Sequence, residues 1–152
     1  MITRERLKLL LTYDAETGIF RRRKNDQIAG GINKNGYVVI LCDGVHYYGH
    51  RLAWLYMVGE IPTQVDHKNC VKNDNKWGNL RRANYRINRE NRRTPTKGNK
   101  LGLLGVAPNG SGFRATITVN GKQRHLGTFA TPEEASQKYI DAKRIFHEGC
   151  TI

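Results

Sequence analysis

The sequence predicts an α+β protein made of two small modules, and three observations lead there. Stretches with helical spacing of apolar residues alternate with short β-branched and aromatic runs. Dipeptides suited to tight turns (Asp43-Gly44, Asn109-Gly110 and Asn120-Gly121) separate those runs. From Arg92 to Gly102, RRTPTKGNKLG has the Pro, Gly, Thr and Lys content of a linker, and the pattern changes after it. A length of 152 residues allows one domain or two small ones. The expected division is 1–93, a basic linker at 94–101, and 102–152.

In the first module, ITRERLKLLLTYD has Thr3 as a candidate N-cap and apolar residues at Leu7, Leu10 and Leu11, which predicts a short amphipathic helix. DAETGIFRRRK predicts a turn into a strand. GYVVILCDGVHYYGH predicts a hairpin, because β-branched residues precede Asp43-Gly44 and aromatic residues follow it. HRLAWLYMVGEIP predicts a helix ended by Gly59, with Trp54, Leu55 and Met57 as core and His50 as a structural or phosphate-contacting side chain. Val65-Asp66-His67 sits at a strand end, and NLRR (Asn79 to Arg82) can form a second short strand. Asn84 is a good N-cap for YRINRENRR, where the spacing places Asn84, Asn88 and Asn91 on one face.

Beyond the linker, LLGVAPNGSGFRATITVNGKQRHLGTF predicts three short strands. TPEEASQKYIDAKRIFHEG then predicts a helix. Thr131 is its N-cap, Pro132 its first residue, and Glu134 completes a capping box. Its expected apolar face is Ala135, Tyr139, Ala142, Ile145 and Phe146. A three-stranded sheet under one helix is a small core.

The formal net charge of +13 is concentrated. Residues 67–100 hold 11 Lys+Arg against 2 Asp+Glu, whereas 1–66 hold 9 against 7 and 101–152 hold 6 against 4. A localised positive field of this kind is a footprint for a polyanion, and nucleic acid is favoured over a merely solvated face. Cys42, Cys70 and Cys150 are odd in number and far apart, with no C-x-x-C pair. They are expected as reduced thiols, with neither a disulfide framework nor a structural zinc. No apolar run reaches the length of a bilayer span, so no membrane partner is expected. The LKLLL run is too short for a signal-peptide core, and an intracellular location is expected.

The stretch VDHKNCVKNDNKWGNL raises the chemical question. Asparagine is common in loops simply because it tolerates turns. The same set also suits a metal-dependent site. Asp66 offers a hard anionic oxygen, Asn88 an amide oxygen aimed at the same strand, and His67 an imidazole able to take a proton from water near neutral pH.

Asp66-His67, Asn79-Leu80-Arg81 and the helical Asn88 resemble the HNH nuclease motif of phage and intron-encoded homing endonucleases, with HRLAWLYMVGEIP as a similar lead-in. The resemblance covers roughly residues 35–93 and implies a ββα-metal unit around one divalent cation, Mg²⁺ or Mn²⁺. It implies His67 as general base and Asp66 and Asn88 as metal ligands. It also implies that Asn79 fixes the loop and the orientation of His67. Two positions depart from the family pattern. Cys70 stands where relatives carry Gly, so its Cβ requires a negative φ or accepted strain. Gly78 stands where relatives tend to have an acid. Trp77 is expected to pack rather than stack on a base.

The C-terminal segment resembles the Apetala-two/ethylene-response-factor DNA-binding domain at Gly105-Val106, Arg114-Ala115, Leu126-Gly127-Thr128-Phe129 and the Glu-Glu-Ala before Tyr139. That likeness implies a sheet laid in the major groove. Period-two alternation points Phe113, Ala115, Ile117 and Val119 to the helix and Arg114, Thr116 and Thr118 outward. Gln123 and His125 follow outward, flanked by Lys122 and Arg124. Relatives carry arginines on the first strand, whereas this chain has Leu104, Ala107 and Asn109, so its readout differs.

The expectation is therefore a metal-dependent endonuclease acting on double-stranded DNA, as a monomer or weak dimer, in a bacterial cytoplasm and phage-encoded. Arg81, Arg82, Arg86, Arg89, Arg92, Arg93, Lys97 and Lys100 are expected to grip phosphates. The alternative is a non-catalytic DNA-binding regulator on the same scaffold.

Overall fold

The computed structural model describes residues 1–151. It is a mixed α/β structure whose described residues include small antiparallel sheets and four α-helices joined by turns and loops. The chain divides into two compact units, Met1–Asn84 and Tyr85–Ile152. Residues 94–101 and the helix that follows Asn84 both fall in the second.

Unit one begins with α1 (Arg4–Leu10), where the Thr3 side chain accepts from the Arg6 N–H at 3.2 Å. Strands β1 (Leu11–Tyr13) and β2 (Phe20–Arg22) pair antiparallel. Strands β3 (Gly31–Ile32), β4 (Val38–Cys42) and β5 (Val45–Tyr48) form a three-stranded antiparallel sheet. The β4–β5 turn is of the primed kind: φ is +47° at Asp43 and +78° at Gly44, as the right-handed twist of the flanking strands requires. Helix α2 (Gly49–Val58) ends at Gly59 in the left-handed conformation. Its last carbonyls, those of Tyr56 and Met57, accept from the Arg4 guanidinium at 3.0 and 2.9 Å, a cation at the negative end of the helix. Strands β6 (Gln64–His67) and β7 (Leu80–Ala83) pair antiparallel.

The core of this unit contains Leu7, Leu11, Phe20, Ile40, Leu52 and Leu80, with Trp54 and Trp77 in an edge-to-face pair 4.9 Å apart at its border. Trp77 packs as expected. Met57 does not join the core: α2 turns it to the surface, where it is 38% exposed.

Unit two contains α3 (Tyr85–Glu90), strands β8 (Val106–Asn109), β9 (Gly112–Val119) and β10 (Lys122–Phe129) in the order β10-β9-β8, and α4 (Pro132–Phe146). Helix α3 is shorter than the pattern suggested, leaving Arg92 and Arg93 in non-helical chain. Burial along β9 alternates as period two requires, with Ala115, Ile117 and Val119 inward and Arg114 and Thr118 exposed. Thr131 and Glu134 form the capping box of α4. The apolar face of α4 departs from expectation at its end. Ile145 is 74% exposed and Phe146 40% exposed, whereas Lys143 is buried. Lys143 lies four residues after Tyr139 and so continues the inward stripe; its ammonium donates to the Arg92 carbonyl.

Candidate active site and nucleic-acid interface

The register of the β6–β7 pair sets Asp66 opposite Arg81 and His67 opposite Leu80. Directly paired residues project to one face, so Asp66 and Arg81 meet. The Arg81 guanidinium donates to Asp66 Oδ2 from Nε at 2.8 Å and contacts the same oxygen from Nη2 at 2.7 Å. Both side chains are largely buried, so the pair lies in low dielectric and its hydrogen bonds are charge-assisted. Arg81, expected at phosphates, is therefore held beside Asp66. Arg82, on the other face, pairs with Glu60 at 2.6 Å near the surface.

His67 is 6% exposed. Its Nε2 lies 3.1 Å from Asn75 Oδ1. Burial lowers its pKa below the ordinary histidine range, while the Asn75 hydrogen bond and the Asp66 and Asp74 carboxylates act the other way. The His50 ring meets His67 edge-on with centroids 5.1 Å apart and stacks on Tyr48 at 5.5 Å, and Tyr37 lies against both histidines. His50 is buried with no hydrogen-bond partner at Nδ1. Its pKa is pushed down to about 4, by burial first and then by the neighbouring His67 and Arg51.

The asparagines of the 68–79 loop have separate duties. Asn79 Oδ1 accepts from the Asn69 N–H at 3.0 Å, and its Nδ2 donates to Asn69 Oδ1 at 3.0 Å and to the Asp74 carbonyl at 2.7 Å. Asn69 in turn donates to Asp74 Oδ2 at 2.7 Å and accepts from the Val71 N–H at 2.9 Å. Asn79 thus ties Asn69 and Asp74 together across the loop. The hydrogen bond to the His67 ring, however, comes from Asn75, a residue that the sequence reasoning did not single out. Cys70 sits in the turn closed by its N–H to the His67 carbonyl at 2.9 Å, with φ at +61°. The accepted-strain alternative holds at that position.

A carboxylate and an amide oxygen are hard donors that fit Mg²⁺ or Mn²⁺. Asp66 supplies the carboxylate from unit one, and both Arg81 contacts fall on its Oδ2. Asn88, expected as the amide ligand, is half-buried on α3 in unit two.

In unit two, a groove of about 490 Å³ collects Arg86, Arg89 and Arg92 with Thr116, Thr118 and Gln123. Residues expected to contact DNA from α3 and from the sheet therefore share one surface. The β9–β10 register sets Gln123 opposite Thr118 and His125 opposite Thr116, on the outward face. Lys122 and Arg124 pair with Val119 and Ile117, so they belong to the helix side of the sheet. Arg124 lies over the Phe146 ring at 5.2 Å, a cation–π contact. Arg86 pairs with Glu148 at 2.7 Å, and Arg93 donates to Thr151 at 2.9 Å. Lys97, Lys100 and Arg114 are exposed.

Residues 47–90 match the HNH endonuclease family model, and this match suggests a nuclease domain in that segment. The matched segment ends on α3, beyond the boundary between the two compact units. No curated protein and no solved structure matches the chain. No helix among the described residues is long and apolar enough to cross a membrane.

Proposed function

We propose that this protein is a divalent-metal-dependent, homing-type DNA endonuclease. The observation that carries the reading is Asp66-His67 on one strand end, inside a segment matching the HNH endonuclease family. His67 is buried among aromatic rings and hydrogen-bonded by an amide, and burial favours its neutral form. A neutral imidazole is the form a general base needs.

In this reading His67 takes a proton from the attacking water, and Asp66 and Asn88 hold the cation. Asn79 keeps the loop closed behind His67. A divalent cation bound there would offset the charge that develops on the scissile phosphate and its leaving oxygen. Arg86, Arg89, Arg92, Lys97 and Lys100 bind phosphates of double-stranded DNA. The C-terminal sheet works as an Apetala-two-like module, with Arg114, Thr116, Thr118, Gln123 and His125 outward. The protein acts as a monomer or weak dimer in the cytoplasm of a bacterial host and is phage-encoded.

A second reading, a DNA-binding regulator without nuclease chemistry, is favoured by one observation: Arg81 already neutralises the Asp66 carboxylate. Chelator-sensitive cutting of supercoiled plasmid by the wild type separates the two, and His67→Ala tests the role of the histidine. The nuclease reading expects cutting to fall by roughly 10²-fold or more while DNA affinity in a gel shift stays near wild type. Equal loss of cutting and affinity would make His67 structural.

A further inference from the structure

Among the loop asparagines 69, 73, 75 and 79, Asn75 is the buried one, 2% exposed. Three contacts hold it. Its carbonyl accepts from the Tyr13 hydroxyl at 2.7 Å. Its Nδ2 lies against Gly49, where a Cβ would come within 2.7 Å of it. Gly18, at φ +74°, passes so close that a Cβ there would lie 2.4 Å from the Asn75 backbone carbon. A side chain at either glycine would displace Asn75. Residues from the first turn of the chain and from the start of α2 thus converge on an amide that itself does no chemistry.

A carboxamide oxygen only accepts hydrogen bonds, and a neutral imidazole carries a single N–H. The ring nitrogen facing Asn75 Oδ1 must therefore be the protonated one, as when an outer partner fixes the tautomer of a metal-bound histidine. We infer that Asn75 is a positioning residue: its side-chain oxygen holds His67 Nε2–H, which makes Nδ1 the nitrogen that receives the proton from water. The inference rests on the reading of His67 as general base. When Nδ1 takes its proton the ring becomes cationic, and the Nε2–H bond to Asn75 becomes charge-assisted and stronger. Asn75 then stabilises the product of proton transfer more than the ground state, which is what lowers a barrier.

The test begins with the wild-type full chain, labelled with ¹⁵N-histidine and examined by long-range ¹H–¹⁵N NMR above the imidazole titration range. His67 signals are identified by their loss in His67→Gln. The expected pattern is the Nε2–H tautomer, and an Nδ1–H pattern overturns the inference without any variant having to fold. Asn75→Leu removes the acceptor. It should lower kcat about 10–100-fold while KM for DNA and the metal concentration for half-activity stay within about twofold. Asn75→Asp, which keeps an acceptor oxygen, should retain the Nε2–H tautomer and recover most of kcat. A folded Asn75→Leu that cuts at the wild-type kcat overturns the inference. A wild type that cuts but shows the Nδ1–H tautomer defeats this inference alone. A wild type that does not cut with any divalent cation defeats the nuclease reading instead.

Discussion

Strands β6 and β9 bury their residues by different rules. Along β9 every second residue is buried, and the buried ones are Ala115, Ile117 and Val119. Along β6 two successive residues are buried, and they are Asp66 and His67. A pleated strand sends neighbours to opposite faces, so β6 is covered on both sides at its end. Apolar burial needs only a covering surface. Polar burial needs a named partner for each group: Arg81 across the ladder for Asp66, and Asn75 from the loop for His67. Periodicity therefore accounts for burial along β9 and specific hydrogen bonds for burial at the end of β6, where the candidate chemistry lies.

Removing a partner should hurt β6 far more than an exposed strand position. Arg81→Met leaves the Asp66 carboxylate buried and uncompensated, and the expected loss of stability is about 3–5 kcal/mol in urea denaturation. The neighbouring Arg82→Met breaks an ion pair more than half exposed on both sides and should cost under about 1 kcal/mol. Equal costs would erase the distinction between the two burial rules.

The next effect concerns pH. His50 is held neutral in the folded chain, with its pKa pushed down to about 4, and the unfolded chain binds a proton near the ordinary value of 6.5. Stability from this group is present above pH 6.5 and is lost as pH falls toward 4, about 3 kcal/mol in all, because the unfolded state binds more protons there. His50→Phe should flatten that acid limb. An unchanged limb would remove His50 from the account.

How far the sequence revealed these features follows the same division. The alternation of β9, the primed turn at Asp43-Gly44 and the capping box of α4 were legible because each is decided within a few residues. The Asp66-His67 pair was legible through its motif. Asn75 was not, because the loop carries several chemically equal asparagines and the path of the chain decides which one reaches His67. Lys143 was missed for a related reason: at the end of α4 the helical period allows either Lys143 or Ile145 to turn inward. The carbonyl that receives Lys143 lies 51 residues away. Arg124 flanks two outward positions in the sequence, but its register with Ile117 places it on the helix side.

The smallest effect sharpens the comparison within the loop itself. Cys70→Gly relieves a left-handed backbone that costs an L-residue about 1–2 kcal/mol, partly offset by the greater freedom of glycine in the unfolded chain. The net gain should be about 0.5 kcal/mol in thermal denaturation. A loss instead would mean that the Cys70 side chain makes contacts worth more than its strain.

Metal-dependent cutting of DNA at the β6 end of unit one is the proposal on which the rest depends. Supercoiled plasmid incubated with the full chain and Mg²⁺, with and without chelator, tests it most directly. Conversion to nicked or linear DNA that chelator abolishes is the expected result. Intact plasmid in a retarded complex, with Mg²⁺ or Mn²⁺ present, would contradict it.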